Sequence, residues 1–249
     1  MLDVLHRPGS SLVHLAAPQA KLVGAAVAVL AVVATPREQL WAFGAHLVVL
    51  AAVWTLAAIP PGWLACRASI ELPFVVLAVL LPFAGGEPRV EPLGVSMSVD
   101  GLYAGWNILA KGTLGVLVSL TLTATTPARE LLVGLQRLRA PAVVITIATL
   151  MLRYLSLLVE EAERMRIARI SRGHDPRLST QVGATARGLG TLFVRSYERG
   201  ERVHLAMLSR GWAGAMPTAG RQAGRAELAA AVLPGLAMAL VATMAWGLR

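Results

Sequence analysis

The sequence predicts an all-α, polytopic membrane protein with about five transmembrane helices and a helical domain on the cytoplasmic side. Three observations predict it. The chain is 56% hydrophobic and 15% charged, against about 25% charged residues in an ordinary soluble domain. Several apolar runs approach the roughly 20 residues that a helix needs to cross a bilayer. The formal net charge of +9 is concentrated in one block, residues 129–225, which holds 16 basic and 7 acidic residues; the segments on either side balance to zero.

The expected spans follow in chain order. The first covers residues 21–34, with Lys21 placed to snorkel to the interface. The second covers 39–59 and stops at Pro60-Pro61-Gly62. The third, 68–83, contains Glu71 and Pro73 and ends at Gly85-Gly86. The fourth covers 102–124 and the last 228–248. Arg7, Lys21 and Arg67 flank one side, whereas Glu87, Glu91 and Asp100 crowd the loop after the third span. Positive-inside bias therefore places the N-terminus and the 125–225 block in the cytoplasm, and the C-terminus outside. The expected divisions are 1–124 (four spans), 125–225 (the cytoplasmic domain) and 226–249 (the last span). The start of the chain lacks the apolar core and small-residue cleavage site of a signal peptide, so the first span is expected to direct insertion itself.

The block between the fourth and fifth spans reads as helical. Thr126 before Pro127 is a helix-start pattern, a capping hydroxyl ahead of a first-turn proline. Leu131, Leu132, Leu135 and Leu138 then share a face, and Pro141 ends the run. Such a helix, about 20 Å long, suits the membrane surface. A longer helix over 143–172 is apolar in its first half and charged in its second, with Glu160/Arg164 and Glu163/Arg166 at pairing distance. A third, over 186–210, carries the stripe Leu189, Leu192, Phe193, Ser196, Gly200, Val203 and Met207. Ser196 and Gly200 are small enough for another helix to cross closely there, and Glu198 pairs with Arg202 on the other side.

Catalytic chemistry is not visible. There is no phosphate-binding Gly-x-x-x-x-Gly-Lys-Ser/Thr loop. The five histidines are scattered, without metal-ligand spacing, and the lone Cys66 excludes an internal disulfide. Glu71 and Lys111 are the intramembrane ionisable residues, and both read as lying near span ends, where interfacial placement accounts for them. The basic block lacks the aromatic-basic pattern of a nucleic-acid surface, so no nucleic acid is expected.

One repeat stands out. Ile167-Ala-Arg-Ile-Ser-Arg-Gly173 returns as Leu205-Ala-Met-Leu-Ser-Arg-Gly211. Arginine in a last helical turn followed by glycine is a common helix stop, so a single copy carries no weight. Two copies in one chain suit a polypeptide that grips two equivalent sites on a partner. Arg172 and Arg210 offer fork-like donors to carboxylates and carbonyls in a groove, and dimeric ATP-binding-cassette ATPases present two such grooves.

The residues resemble a known family over nearly the whole chain: the transmembrane component of energy-coupling factor (ECF) transporters, in its cobalt-uptake CbiQ type. The resemblance rests on Ser11-Leu-Val-His14 through Pro18 to Lys21-Leu22, and on Thr125-Thr-Pro-Ala-Arg-Glu-Leu-Leu132 with Leu135-Gln-Arg-Leu138 and Pro141. It continues with Arg153-Tyr-Leu, Glu161, Arg164-Met165, Ala168-Arg169 and Ser171-Arg-Gly173. Its most specific stretch is Arg195-Ser-Tyr-Glu-Arg-Gly-Glu-Arg-Val203, leading to Ala206-Met207 and Ser209-Arg-Gly211. The family's paired motifs are commonly Ala-Arg-Gly, so both copies here carry serine for alanine. Residues 16–19, Ala-Ala-Pro-Gln, also depart from the family's usual Asp-Pro-Arg.

The resemblance implies that Ser171, Arg172, Gly173, Ser209, Arg210 and Gly211 couple this chain to two ATP-binding-cassette ATPases. It implies a third partner, a membrane substrate-binding subunit of the cobalt-binding type, and a multi-pass location in a bacterial inner membrane. ATP and magnesium are used by the ATPases, and no cofactor or metal is expected on this chain. Nickel or a vitamin is the alternative cargo. A membrane enzyme acting on lipids is the alternative class, and it would need clustered acidic, histidine or nucleophilic residues that the sequence lacks.

Overall fold

A computed structural model describes residues 6–84, 89–90, 97–173, 178–216 and 224–248. The described elements are α1 (Leu12–Leu15), α2 (Pro18–Ala34), α3 (Leu40–Leu56), α4 (Pro61–Ala68), a 3₁₀ turn (Ser69–Glu71) and α5 (Leu72–Ala84). Then come β1 (Arg89–Val90), β2 (Met97–Ser98), α6 (Val99–Thr125), α7 (Ala128–Arg137), α8 (Ala142–Ser171), α9 (Leu178–Ser209) and α10 (Arg225–Gly247). The described residues are all-α apart from one antiparallel pairing of two residues each, Arg89 opposite Ser98 and Val90 opposite Met97. The described residues divide into two compact units, one from 6–134 with 224–248 and one from 135–216.

The first unit is built on close backbone approach. α2 packs along α10, and α5 along α6. A Cβ added at Gly24 would stand 2.9 Å from the carbonyl oxygen of Ala231, and one at Gly235 would collide with the carbonyl of Gly24. On α6, a Cβ at Gly101 or Gly105 would meet the carbonyls of Leu81 and Ala78 at 2.6 and 2.5 Å. Gly101 and Gly105 form a Gly-x-x-x-Gly pattern in an apolar helix, the spacing that lets two membrane helices touch along their backbones. Ala28, Val32, Phe43, Leu117 and Met238 fill the interior between α2, α3, α6 and α10.

Polar bonds close the helix ends. The last carbonyls of any helix lack intrahelical partners. Those of Val33 and Ala34 at the end of α2 accept from the Lys111 ammonium at 2.7 Å and the Trp246 indole at 2.7 Å. At the start of α6, Ser98 caps the helix by accepting from the Gly101 amide. Trp54 on α3 donates to Thr121 on α6 at 2.8 Å, and buried His46 pairs with Thr35 at 3.0 Å.

The outer surface is as apolar as the interior. Leu30, Val48, Phe74, Leu80, Leu236 and Leu240 are all more than half exposed. Water would penalise that arrangement and lipid does not. Among the described residues, three stretches are long and apolar enough to cross a membrane: Pro61–Phe83, Val99–Thr125 and Ala142–Ser171. Pro18–Ala34, Leu40–Leu56 and Ala231–Gly247 are shorter apolar helices.

These helices correct several expectations. α4, the 3₁₀ turn and α5 form one apolar stretch that starts at Pro61, not at residue 68. Glu71 and Lys111 accordingly lie in mid-span rather than near span ends. Glu71 is buried against α6, where a Cβ on Gly112 would stand 2.9 Å from its Oε1. The Lys111 ammonium reaches the Val33 carbonyl at the end of α2. α8 has the length and composition of a span, although the charge of its second half had assigned all of it to the cytoplasmic block. Its uncharged first half, interrupted only by Arg153, accounts for the difference.

The second unit is dominated by α8 and α9, packed antiparallel. The half-buried line on α9 comprises Gly188, Leu192, Ser196, Arg199, Val203 and Met207. Leu189 and Phe193, expected on the same stripe, are 59% and 72% exposed. α7 ends in a turn in which Arg139 adopts φ +64° and the Ala140 amide reaches the Leu135 carbonyl at 3.1 Å. Glycine is usual at that left-handed position.

The Gly24–Gly235 approach makes a direct prediction. Gly235→Val should lower unfolding stability by about 1–3 kcal/mol or more by forcing α10 from α2, whereas Gly44→Ala, where open space surrounds the Cβ position, should be near neutral. Thermal melting of the purified protein in detergent checks this, and equal melting of the two variants would contradict it.

Candidate functional site

The two Ser-Arg-Gly copies end the two long helices of the second unit. α8 closes at Ser171, and the amides of Arg172 and Gly173 fold back on the carbonyls of Arg169 and Ile170 at 3.2 and 3.0 Å. α9 closes at Ser209 in the same way, with Arg210 and Gly211 donating to Met207 and Leu208 at 3.1 and 3.0 Å. Gly173 and Gly211 have φ of +74° and +78°, which side chains with a Cβ adopt only under strain. Each serine hydroxyl donates back to its own helix, Ser171 to Ile167 and Ser209 to Ala206, both at 3.0 Å.

The consequence for the arginines is exposure. All six motif residues are exposed, and neither the Arg172 nor the Arg210 guanidinium has a hydrogen bond or ion pair among the described residues. Each sits where the helix stops and the chain turns away. An exposed guanidinium in that position can present its forked donors to a carboxylate or carbonyl surface.

One ionic network ties the two helices together. Glu161 of α8 accepts from Arg195 of α9 and also faces Arg164 of its own helix at 3.7 Å. Glu161 is the least exposed acid in the group, its side chain 23% accessible. Arg169 on α8 adds a bond to Thr185 on α9 at 3.4 Å. The expected pairs within each helix also form: Glu160–Arg164, Glu163–Arg166 and Glu198–Arg202 at 3.9, 3.5 and 4.0 Å. Exposed pairs of that kind contribute little singly. The Glu161–Arg195 bond matters more because it joins separate helices.

Ser196 and Gly200 part company. Ser196 is half-buried and donates to the Leu192 carbonyl at 2.6 Å. Gly200 is exposed, and a Cβ there would meet nothing within 4 Å. Within this chain no described helix crosses at Gly200.

A second cluster, in the first unit, escaped the sequence reading. Lys21 does not snorkel; it is 7% exposed. Its ammonium donates to the carbonyls of His14 and Thr125 at 2.8 and 3.1 Å and to the Thr126 hydroxyl at 3.2 Å. The Thr126 hydroxyl, expected to cap α7, is engaged by Lys21, and the first turn of α7 closes on the Pro127 carbonyl. The Arg7 amide binds the Ala124 carbonyl at 2.9 Å, so the N-terminal segment and the end of α6 are fastened together. His14 donates from Nε2 to the Arg7 carbonyl and accepts at Nδ1 from Ser11. Burial holds its pKa below the ordinary histidine value, opposed by the Arg7 hydrogen bond and assisted by the nearby Lys21 charge. Arg7 and Arg67 both lie over the Trp63 ring, Arg67 at 4.0 Å from its centroid. The readable signal for this cluster was the pairing of Ser11 to Lys21 with Thr125-Thr-Pro127, two separated stretches that prove to be one site.

Among the described residues, no three His, Cys, Asp or Glu side chains converge in a way that could hold a metal ion.

Comparison with known proteins gives consistent relationships. The sequence model of the CbiQ cobalt transport protein family matches residues 9–219. The cobalt transport protein CbiQ of Rhodobacter capsulatus is 31% identical over 201 residues, 78% of each chain. The energy-coupling factor transporter transmembrane protein EcfT of Bacillus selenitireducens is 26% identical over 230 residues, 83% of this chain and 82% of that one. A putative fused cobalt transport protein CbiMQ of Methanocorpusculum labreanum is 27% identical over 204 residues, 79% of this chain and 34% of the longer protein.

Two predictions attach to the Lys21 cluster. Lys21→Met should cost about 1–3 kcal/mol of stability by leaving buried carbonyls unpaired, read as a lower melting temperature in detergent; unchanged melting would remove the clasp. His14 has a lowered folded pKa, so its contribution is complete above the ordinary value of about 6.5 and is lost as pH falls through the window down to the folded value. His14→Gln should therefore flatten the pH dependence of melting in that acid window.

Proposed function

The chain belongs to the CbiQ cobalt transport protein family, and from that premise we propose that it is the transmembrane coupling subunit of an ECF-type importer, serving cobalt uptake. In this reading two cytoplasmic ATPases bind and hydrolyse ATP with magnesium. This chain passes their closure to a separate membrane subunit that captures the substrate.

The observation that carries the reading is the matched pair of helix ends. Two long helices of one unit stop at the same Ser-Arg-Gly sequence, with the same left-handed glycine and the same exposed arginine. An asymmetric chain facing a symmetric ATPase dimer needs two such ends. The Glu161–Arg195 bond supports the mechanical part, because a push on either end is shared by both helices. Transmission then requires a helical element with two arrangements, biased from both sides. Ser196 and the open face at Gly200 are the proposed crossing for a helix of a partner subunit.

The charge distribution supports a cytoplasmic domain. Arg7 and Arg67 gather on Trp63, and the Arg7 amide and Lys21 bind the C-terminal end of α6. Asp100 lies at the opposite end of α6, and the 135–216 unit follows the basic end in sequence. Positive-inside orientation then puts residues 125–225 on the cytoplasmic side of a bacterial inner membrane; α8, despite its apolar first half, is read as staying on that side because its second half carries Glu160, Glu161, Glu163, Arg164, Arg166 and Arg169, which a span would have to bury. Cobalt is favoured over nickel or a vitamin by the names of the Rhodobacter and Methanocorpusculum relatives. The fused relative also supports a second cobalt-transport component working directly beside this chain.

Arg172→Glu and Arg210→Glu should each weaken ATPase co-purification by about tenfold or more and abolish cobalt uptake, since a carboxylate would face a groove suited to a cation. The checks are pull-down of the ATPases with tagged variants and radiolabelled cobalt uptake by the full complex. Full ATPase recovery and normal uptake in both variants would overturn the coupling role. Uptake of labelled nickel or vitamin with cobalt excluded would reassign the cargo alone.

A further inference from the structure

The basic end of the first unit carries a cluster that the coupling role does not draw on. Arg7 and Arg67 bring their guanidinium carbons to 5.9 and 4.0 Å from the centroid of one indole ring, that of Trp63. Trp63 and Arg67 stand one turn apart on α4. Arg7 is delivered by the N-terminal segment, its amide fixed to the Ala124 carbonyl at 2.9 Å. A cation gains from the face of an aromatic ring, but two cations on one ring repel each other, and a shared anion relieves that repulsion. The charge here is one-sided. Between His6 and Ile70 the only acid in the sequence is Glu38, which faces Arg37 at the other end of α2. Glu71, one turn beyond Arg67, is turned against Gly112 of α6, and the Glu130 charge of α7 acts on Lys21.

Its level is the edge of the hydrocarbon. Trp63 lies in the first turn of the apolar stretch Pro61–Phe83, and tryptophan concentrates at that boundary in membrane proteins. Arg7 is held at the last turn of α6. Beyond Arg67 the chain continues through Ser69–Glu71 into α5. Ile70 and Phe74, three and seven positions on, return to the Arg67 side of the helix, and both are more than half exposed. α5 packs chiefly on α6. Its exposed residues from Leu72 to Phe83 are leucine, valine, phenylalanine and Pro73, whereas its buried alanine, Ala78, faces Gly105 of α6. Membrane helices pack on one another through small residues, so this outer face suits acyl chains rather than another helix. A protein surface arriving from water would meet the guanidinium groups but not the apolar face that continues below them.

A lipid with a negatively charged headgroup meets both. Guanidinium groups bind phosphate oxygens through forked, charge-assisted bonds, and basic side chains beside a span attract anionic lipids. We propose that Arg7, Trp63 and Arg67 form a binding site for an anionic phospholipid, its phosphate bridging the two guanidinium groups and an acyl chain lying along Ile70 and Phe74. The site rests on the membrane placement of the spans and is independent of the coupling role.

The test uses the full chain, without ATPases, in phosphatidylcholine nanodiscs doped with phosphatidylglycerol whose acyl chain bears a photoactivatable diazirine. A parallel set carries the same label on phosphatidylcholine. On the segment 61–74, the phosphatidylglycerol label should exceed the phosphatidylcholine label by about tenfold. Arg7→Gln and Arg67→Gln should each lower that preference about fivefold, whereas Arg37→Gln, at the other end of the unit, should leave it unchanged. Melting at the wild-type temperature verifies that each variant folds. The comparison of the two lipids on the wild-type chain decides the matter if a variant does not. Equal labelling of 61–74 by both lipids, or a preference that persists in the folded double variant, would overturn the proposal. So would cross-links that vanish when the ATPases are added and are replaced by protein–protein cross-links at residues 63–67. Label absent from every span would instead refute the membrane placement itself.

Discussion

Inside a bilayer an apolar side chain gains little by leaving lipid for protein, so helices must be held by backbone proximity and by bonds that lipid cannot supply. The first unit obeys that constraint throughout. Gly24 and Gly235 let α2 and α10 touch, and Gly101 and Gly105 do the same for α6 against α5. Where the backbones end, Lys111, Trp246 and Lys21 deliver donors to carbonyls that would otherwise face hydrocarbon. The apolar side chains, turned outward, are free to meet lipid.

The second unit answers to different physics. Its long helices carry most of the basic block, and α8 and α9 are joined by ionic and polar bonds rather than by close glycine contacts. Gly188, Leu192, Ser196, Arg199, Val203 and Met207 form only a half-buried line, and Phe193 stands exposed. A pair of helices so lightly buried has surface to share with other subunits. The same two helices end in the exposed arginines, so those side chains and the ionic bond that links the helices lie on one pair of elements.

How much of this was legible depended on the range of the interactions involved. The helix ends at Gly173 and Gly211, and the pairs Glu160–Arg164, Glu163–Arg166 and Glu198–Arg202, depend on neighbours within a turn or two, and spacing alone revealed them. Partners far apart in sequence were less visible. Lys21 looks like a residue reaching for water until Thr125, more than a hundred positions later, is brought beside it. Glu71 seemed to sit at a span end because the apolar count began at residue 68, whereas Pro61 starts the helix as a first-turn proline. The 101–105 glycine spacing was readable and marks the α5–α6 contact, but it does not name its partner helix. Gly200 shows the converse: a small residue permits a crossing without requiring one inside the same chain.

The Lys21 clasp has an uneven tolerance built into it. Two of its three acceptors are main-chain carbonyls, which every type of residue provides. Substitution at 14 or 125 leaves those acceptors in place, as long as the backbone keeps its course. The donor has no such freedom, because only a long side chain ending in several polar hydrogens reaches all three at once. Drift among descendants should accumulate around the ammonium far more readily than at position 21 itself, leaving one lysine whose surroundings change while its bonds do not.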